Sequence, residues 1–266
     1  MIEFREVFTT GREESGEMVP VISRRTALSG LGVAVVGSCT ALAGRSGIGV
    51  ADTDERDAGP DWPMARYDPA GTGYNPDTAG PKRSVRVKWR REPERFSGGV
   101  ASPILLGDTL YATGQGLTAL DAATGSPCFS HEGSYQSSPA RADARAYETD
   151  TLAVTAPTGV YGLNAGGGRR LFDYEFGVER WHGPTRDPSF DFFGSPGAVP
   201  PVTVGRTVYA VVPGTASDTA HIVALDAATG TVRWRFETGP ASLPAIGDGV
   251  LYVVSHGRVI ALEEKR

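Results

Sequence analysis

Apolar and polar positions alternate along this chain in short runs that are typical of β-strands. Runs such as GVLYVV and HIVALD are rich in β-branched and aromatic residues, and turn signals interrupt the sequence about every eight to twelve positions. These runs are too short for helices of ordinary length. The pattern therefore predicts an all-β protein built from short antiparallel strands.

The heptapeptide ALDAATG occurs twice, at residues 119–125 and 224–230. Two further spacings recur, from a proline to a tyrosine and from Asp or Asn to an aromatic residue. The prolines and tyrosines are Pro103 and Tyr111, Pro139 and Tyr147, Pro201 and Tyr209, and Pro244 and Tyr252. The other pairs are Asp121 and Phe129, Asn164 and Phe172, and Asp226 and Trp234. These coincidences indicate one structural unit that is repeated along the chain.

Each unit contains four predicted strands in roughly 40 residues, which matches the strand number and repeat length of a β-propeller blade. Its third strand ends at Asp121, Asn164 or Asp226, whose side chains we expect to cap the next turn by accepting backbone N–H groups. The turn glycines, Gly125, Gly168 and Gly230, are expected at positive φ. The repeated aromatic residues, together with Trp89 near the start of the chain, are expected to fill the gaps between adjacent sheets.

Units such as SPILLGDTLYATGQGLTALDAATG and LPAIGDGVLYVVSHGRVIALE resemble the PQQ-like β-propeller repeat. This repeat is the module of quinoprotein dehydrogenases and of BamB-like bacterial scaffold lipoproteins. The segment DWPMARYDPAGTGYNPD is similar to the lead-in that precedes the first blade in that family. The resemblance covers residues 62–266 and implies a propeller domain of about four blades, but a fold of this kind does not specify a function.

The last unit ends one strand short, while the upstream segment VRVKWRRE carries Trp89 in the aromatic position of an outer strand. We therefore expect this N-terminal strand to complete the last blade, which would remove an exposed sheet edge. A closed four-bladed ring, an open arc and a homodimer that completes a larger ring remain as alternatives.

The unit from Asn164 to Asp226 is about twenty residues longer than the others, and most of the excess lies in FGVERWHGPTRDPSFDFFGSPGA. This insertion is expected to form a loop between the outer strand of one blade and the inner strand of the next. Aromatic and charged side chains on such a loop favour partner binding. The alternative is that its rings fold back to fill the hollow of a short propeller. The candidate binding residues are Arg180, Trp181, His182, Asp187, Phe190, Asp191, Phe192 and Phe193.

The first 43 residues contain SRRTALSGLGVAVVGSCTALAG, which resembles a twin-arginine export signal. Its apolar run is shorter than the ~20 residues that a membrane-spanning helix needs. Translation could begin at Met1 or at Met18. The residues before Cys39 resemble a lipobox, whereas Ala41-Leu42-Ala43 offers a cleavage site that would release a secreted protein.

Lipidation of Cys39 would anchor the protein at the extracytoplasmic face of the cell membrane. Under either form of processing Cys128 lacks an obvious partner, because the chain has 2 cysteines, and we expect it to be a small residue packed in a strand. Residues 44–61 are rich in Gly and Asp and are expected to form a flexible linker.

Composition narrows the classes of function. A net charge of −5 argues against a nucleic-acid-binding protein, whereas a hydrophobic fraction of 40% suits a folded domain. The most basic run, KRSVRVKWRREPER, alternates as the solvated face of a strand would.

Catalytic motifs are not evident in the sequence. A quinoprotein dehydrogenase would need an axial pocket, a calcium ion held by carboxylate ligands and a catalytic Asp, and many members carry a vicinal cysteine pair that this chain lacks. The histidines, His131, His182, His221 and His256, do not have metal-ligand spacing. We therefore predict a binding or assembly module for envelope or cell-surface proteins, with no catalytic residues, cofactor or metal. The alternative is a PQQ-dependent dehydrogenase with calcium, or an accessory subunit of one.

Overall fold

Antiparallel sheets account for the regular secondary structure in the described part of the chain. The structure is a computed structural model, and it describes residues 61–92, 101–171, 174–185, 198–214 and 218–265. The strands in these ranges form three four-stranded sheets, one three-stranded sheet and one two-stranded hairpin. The predicted all-β architecture of four repeated sheets is confirmed, and we name the four larger sheets blades 1 to 4.

Within each blade the strands follow chain order from the inner to the outer position. Blade 1 contains β1 (Ile104–Leu106), β2 (Thr109–Thr113), β3 (Gly116–Asp121) and β4 (Pro127–Glu132). Blade 2 contains β5 (Ala140–Ala142), β6 (Thr151–Ala156), β7 (Gly159–Asn164) and β10 (Glu179–Thr185), and the hairpin consists of β8 (Arg169–Leu171) and β9 (Tyr174–Phe176). Blade 3 contains β11 (Val202–Val204), β12 (Thr207–Pro213), β13 (Ala220–Asp226) and β14 (Val232–Thr238). Blade 4 contains β15 (Ala245–Gly247), β16 (Val250–Ser255) and β17 (Arg258–Leu262).

The repeated tyrosine occupies the same register position in three blades. Tyr111, Tyr209 and Tyr252 each lie opposite the first residue of the inner strand, namely Ile104, Val202 and Ala245. In blade 2 the prediction is wrong, because Ala153 lies opposite Ala140 and Tyr147 lies in the connection between β5 and β6. That connection is longer than its counterparts, so the spacing from Pro139 to Tyr147 does not reflect the register of the strands.

The two repeated ALDAATG segments form capped turns. Asp121 Oδ1 accepts the backbone N–H of Thr124 at 2.7 Å, and Asp226 Oδ1 accepts that of Ala228 at 3.0 Å. Gly125 and Gly230 have φ values of 71° and 70°, a region that side chains with a Cβ rarely occupy. In blade 2 the positive φ belongs to Gly167 instead of the predicted Gly168. The capping role predicted for the aspartates is therefore confirmed.

A tryptophan from earlier in the chain packs on the ALDAATG turn of blade 1 and another on that of blade 3. Trp181 of β10 donates its indole N–H to the carbonyl oxygen of Ala227 at 2.9 Å, and its ring lies against Gly230. Trp89 donates in the same way to Ala122 at 3.1 Å, with its ring against Gly125. These contacts dock an aromatic residue of one unit on the turn of the next blade.

Tyrosines add a second contact at the same turns. Tyr111 of blade 1 donates its hydroxyl to the carbonyl of Ala165 in the blade 2 turn at 2.7 Å. Tyr147 of blade 2 donates to Ala228 in the blade 3 turn at 3.3 Å. Burial raises the pKa of Tyr111 to about 12, so this phenol keeps its proton for the hydrogen bond even at alkaline pH.

Buried aliphatic clusters fill the gaps between consecutive blades. The side chains between blades 1 and 2 include Ile104, Leu117, Leu152 and Leu163. Those between blades 2 and 3 include Val160, Trp181, Val208 and Leu225, and those between blades 3 and 4 include Ile222, Leu251 and Val253. Each of these blades therefore depends on a neighbour to bury its apolar face.

The expected closing strand is not formed in the described residues. Residues 83–92 adopt no strand, and Trp89 docks on blade 1 while the sheet of blade 4 keeps three strands. The structure therefore does not confirm the prediction that the segment around Trp89 completes the sheet of blade 4.

Cys128 lies in β4 and packs against the cluster between blades 1 and 2, as expected for a small residue in a strand. The expectation that it lacks a partner is wrong, because Cys128 is disulfide-bonded. Cys39, the signal segment and the linker up to residue 60 lie outside the described residues.

Candidate functional site

The lead-in segment, residues 61–77, packs against the inner strands of the blades. Its Met64 is 5% exposed and lies among Ala140 of β5, Val202 of β11 and Ile246 of β15. A flexible thioether side chain suits a site where three differently oriented strands converge. Sequence reasoning singled out the lead-in for its resemblance to a family segment but did not identify Met64 as a core residue.

Backbone hydrogen bonds hold the lead-in segment to three blades. Trp62 and Leu105 form an isolated antiparallel bridge at β1, with the Trp62 N–H donating to Leu105 at 2.7 Å. Arg141 of β5 donates its N–H to Pro63 at 2.8 Å, and Ile246 of β15 donates to Pro69 at 2.7 Å. The segment thereby satisfies polar backbone groups that the inner strands would otherwise leave unpaired.

Side chains within the lead-in segment fix its turn. Asp68 accepts hydrogen bonds from the backbone N–H and the hydroxyl of Thr72, and Asn75 donates its side-chain amide to the carbonyl of Asp61 at 2.9 Å. Partial burial would raise the pKa of Asp68, but these hydrogen bonds outweigh it and lower the pKa below its ordinary value. The letters DPAGTGYN therefore encode a self-capped loop.

A cavity of about 630 Å³ lies where the chain approaches the inner strands, and we call it the inner cavity. Each blade contributes residues that come just before its first strand, and the lead-in segment contributes two more. The lining consists of Ala65, Arg66, Ala101, Ser102, Gln136, Ser137, Ser138, Ala198, Pro200 and Leu243. Small side chains at most of these positions leave room for this cavity, which is largely open to solvent.

One wall of the inner cavity is held rigidly by hydrogen bonds. Ser137 Oγ accepts the backbone N–H of Thr155 at 2.8 Å, and the Ser137 carbonyl accepts the hydroxyl of Thr113 at 2.7 Å. These bonds tie the segment before β5 to both blade 1 and blade 2. Ser138 beside it is buried and also lines the cavity.

Among the described residues that line the inner cavity, one is charged, and it is Arg66. The nearby Arg141 is paired with Asp61 at 3.4 Å and with Asp150 at 3.2 Å, so its charge is compensated within the protein. The lining therefore offers a guanidinium, hydroxyls and an amide, which are donors suited to carboxylate or carbonyl oxygens.

The residues of the inner cavity do not suit a calcium-bound quinone. Calcium takes six to eight oxygen ligands, several of them usually carboxylates, and no Asp or Glu lies among the described residues of the lining. No aromatic side chain lies there either to cover a flat quinone. Across the described part of the chain, no group of three or more His, Cys, Asp or Glu side chains is arranged to hold a metal ion.

The structure places three of the eight predicted binding residues in a strand. Arg180, Trp181 and His182 belong to β10, the outer strand of blade 2, and not to a loop that follows it. Part of the insertion precedes this outer strand and includes the β8–β9 hairpin, so Trp181 occupies the position that the spacing had assigned to Phe172. The rest lies between β10 and β11, as the sequence predicted, in a connection longer than those from β4 to β5 and from β14 to β15. Phe172 and the remaining binding candidates, Asp187, Phe190, Asp191, Phe192 and Phe193, lie outside the described residues.

The three residues of β10 have contacts that stabilise the blades. Arg180 donates to Thr151 Oγ1 at 2.8 Å and to the Thr149 carbonyl at 2.9 Å, and its guanidinium carbon lies 4.2 Å from the centre of the Tyr147 ring. Desolvation by burial lowers the pKa of Arg180. His182 stacks on Tyr161 with ring centroids 3.8 Å apart.

A search for membrane-crossing helices among the described residues finds none of sufficient length and apolarity.

Comparison with known proteins supports the repeat assignment. The family model described as outer membrane protein assembly factor BamB matches residues 172–266, a range that includes blades 3 and 4. This match over about a third of the chain supports the predicted PQQ-like repeat. None of the curated proteins matches it.

Solved structures similar to this chain have low sequence identity to it. BamB from Moraxella catarrhalis is 21% identical, with a TM-score of 0.42, over 59% of this chain and 43% of that protein. Quinohemoprotein alcohol dehydrogenase from Comamonas testosteroni is 20% identical, with a TM-score of 0.48, over 67% of this chain and 27% of that enzyme. The computationally designed protein Ika4 is 13% identical, with a TM-score of 0.40, over 63% of this chain and 94% of the design. The chain thus spans less than half the length of the natural proteins.

Proposed function

We propose that this PQQ-like repeat protein is an exported binding and assembly module without catalytic activity of its own. In this proposal the twin-arginine segment directs export of the protein to the extracytoplasmic side of the cell membrane. Its partners are envelope or cell-surface proteins. Similarity of residues 172–266 to a family described as an outer membrane protein assembly factor supports this role.

The chemistry of the inner cavity is the observation that carries the proposal. Its donors come from Arg66, Ser102, Gln136 and Ser138, and no carboxylate in the described lining opposes them. Such a site suits the carbonyl oxygens or a carboxylate of an extended polypeptide segment better than it suits a metal-dependent reaction. Because the lining comes from all four blades, occupancy would also bridge them.

Capture from a detergent extract of the cell envelope tests this proposal, with bound proteins quantified by mass spectrometry. We expect Arg66→Glu to lower the amount of specific partner by about tenfold, as for the loss of one charge-assisted hydrogen bond. Ser102→Tyr should do the same by filling the cavity, and Ser102 is exposed, so the fold should tolerate it. Arg206→Glu, at an exposed turn arginine in blade 3, is the matched charge control. Equal capture by all four proteins would contradict the proposal.

Titration with PQQ and calcium separates the module from the alternative dehydrogenase or its accessory subunit. A ligand at about 100 times its Kd would stabilise the folded state by roughly 2.7 kcal/mol and raise the melting temperature measurably. We expect no shift and no quinone-dependent dye reduction. A shift that Arg66→Glu abolishes would instead identify the inner cavity as a cofactor site.

A further inference from the structure

The outward face of blade 4 is apolar and uncovered in the described structure. Leu251 and Val253 of β16 point toward blade 3, so the alternate residues of this strand point the other way. Tyr252 is 44% exposed and Val254 48% exposed, and Val259, which lies opposite Val254 on β17, is 75% exposed. A face of this composition is otherwise buried between blades in this molecule.

The pattern of docked tyrosines identifies what this face lacks. The turns of blades 2 and 3 each receive the hydroxyl of a tyrosine from the blade before them, Tyr111 and Tyr147 respectively. Tyr252 stands at the register position of Tyr111 but has no following turn to contact among the described residues. The blade 1 turn, in contrast, holds Trp89 and receives no tyrosine from the described residues, and its Ala123 is exposed.

The docked tryptophans indicate that blade 4, in the described structure, also lacks an outer strand. Trp181 docks on the blade 3 turn from the outer strand of the preceding blade, β10. Trp89 docks identically on the blade 1 turn, yet residues 85–91 around it belong to no sheet. The outer position of blade 4, beside β17, is unfilled in the described structure.

Charges on the two partners are complementary in the register that the repeat dictates. In blade 3, Trp234 lies opposite Ala224, and the neighbouring Arg233 pairs with Asp226 at 2.7 Å. Placing Trp89 opposite Ala261 in the same way puts Lys88 at the position of Arg233 and Glu263 at the position of Asp226. Both Lys88 and Glu263 are exposed. The Lys88 charge also reaches Asp121 of its own blade 1, where it adds to the hydrogen bonds from Thr124 that lower the pKa of that carboxyl.

We propose that two copies of this chain join so that residues 85–91 of each copy form the outer strand of blade 4 in the other copy. Trp89 stays on the turn of its own blade 1, and Tyr252 of the partner packs against the same turn. A two-fold axis makes the two contacts identical and closes the assembly. Added backbone hydrogen bonds then cover the edge of β17, and the apolar face of blade 4 is buried.

The second copy is favoured over closure within one chain because Trp89 already docks on blade 1 while β17 of the same chain stays unpaired. The mass of the full-length protein, measured by light scattering at micromolar concentration, is expected to be twice the 28.0 kDa of the chain. A single-chain mass for the unaltered protein under these conditions would overturn the proposal.

Opposite charge reversals on two differently tagged chains distinguish pairing between two copies from closure within one chain. Lys88→Glu alone places two acidic residues together, and Glu263→Lys alone places two basic residues together, so each variant should dimerise at least about tenfold more weakly. Mixing the two variants restores an opposite-charge pair at both contacts. We expect the mixture to form a heterodimer with the affinity of the unaltered protein.

The control is Lys82→Glu, which changes an exposed lysine outside the pairing segment and should leave dimerisation unchanged. Tyr252→Ser should weaken every pairing, including the mixture. Closure within one chain predicts that mixing restores nothing, so an absent heterodimer would overturn the proposal. Dimerisation that is unaffected by Lys88→Glu, Glu263→Lys and Tyr252→Ser would overturn it as well, because the contact would then lie elsewhere.

Discussion

Gly230 shows how a single position serves both the turn and the contact between blades. Its φ of 70° is unfavourable for other residues, and a Cβ added there would lie 2.7 Å from the Trp181 ring. The glycine therefore allows the indole to approach the backbone closely enough to reach the carbonyl of Ala227. Trp181 and Gly230 act as one unit across the boundary between blades 2 and 3.

Replacing Gly230 by Ala should destabilise the protein more than the backbone conformation alone explains. Gly205 in the same blade has a φ of 54° and open space around its missing Cβ, so Gly205→Ala measures the backbone cost, about 1–2 kcal/mol. Gly230→Ala should cost at least about 1 kcal/mol more, because the Trp181 ring must move. Urea unfolding gives both free energies, and equal losses would show that the indole contact is soft.

Asp226 should make stability depend on pH in the acid range. The hydrogen bond from Arg233 is the main cause that lowers the pKa of Asp226, and backbone N–H groups of the turn add to it. Since the folded pKa lies below the unfolded value of about 3.9, the carboxylate stabilises the fold above that value. The contribution is lost as the pH falls through the folded pKa.

In Asp226→Asn we expect a loss of up to about 1 kcal/mol at neutral pH, because the pair with Arg233 is partly exposed. The difference from the unaltered protein should shrink as the pH falls from the unfolded value of about 3.9 through the lower folded pKa, where Asp226 becomes protonated. Free energies of unfolding measured between neutral and acid pH test this. Glu237→Gln, at an exposed position on β14, controls for net charge and should show no such convergence.

At the scale of elements, the sequence was informative where strand spacing is regular. Blades 1, 3 and 4 keep a short turn between the first two strands, so the proline-to-tyrosine spacing reports the register correctly. Blade 2 departs from regular spacing at three connections. These are the connection that contains Tyr147, the β8–β9 hairpin before β10, and the connection from β10 to β11. Spacing cannot distinguish an insertion before the outer strand from one after it, because both lengthen the unit equally.

The inner cavity could not be predicted from the repeat alone, although Ser102, Ser138, Pro200 and Leu243 each directly precede a repeated proline. Arg66 lies in the lead-in segment, and Ser102, Gln136 and Leu243 come from different blades. Their proximity depends on how the inner strands converge, which is a property of tertiary packing. The sequence did contain one relevant signal, since the small residues before each inner strand recur in several units.

At the scale of the whole molecule, Met64 contributes to the packing of three blades at once. Truncating it in Met64→Ala removes contacts with Ala140, Val202 and Ile246, and should lower the free energy of unfolding by about 2–5 kcal/mol. Tyr74→Ala, at a lead-in residue that is 66% exposed, should stay within about 0.5 kcal/mol of the unaltered protein. If urea unfolding gives the two variants similar stability, the lead-in segment does not hold the blades together.

The backbone hydrogen bond from Ile246 to Pro69 also constrains the order in which parts of the chain fold during synthesis. The lead-in segment leaves the ribosome well before β15 is made. Until blade 4 has folded, Met64 therefore lacks its contact with Ile246, and the carbonyl of Pro69 lacks its hydrogen bond from the Ile246 N–H. Contacts of such long sequence separation form late and expose apolar surface while they wait. The residues translated first in this domain are therefore among the last to reach their final positions.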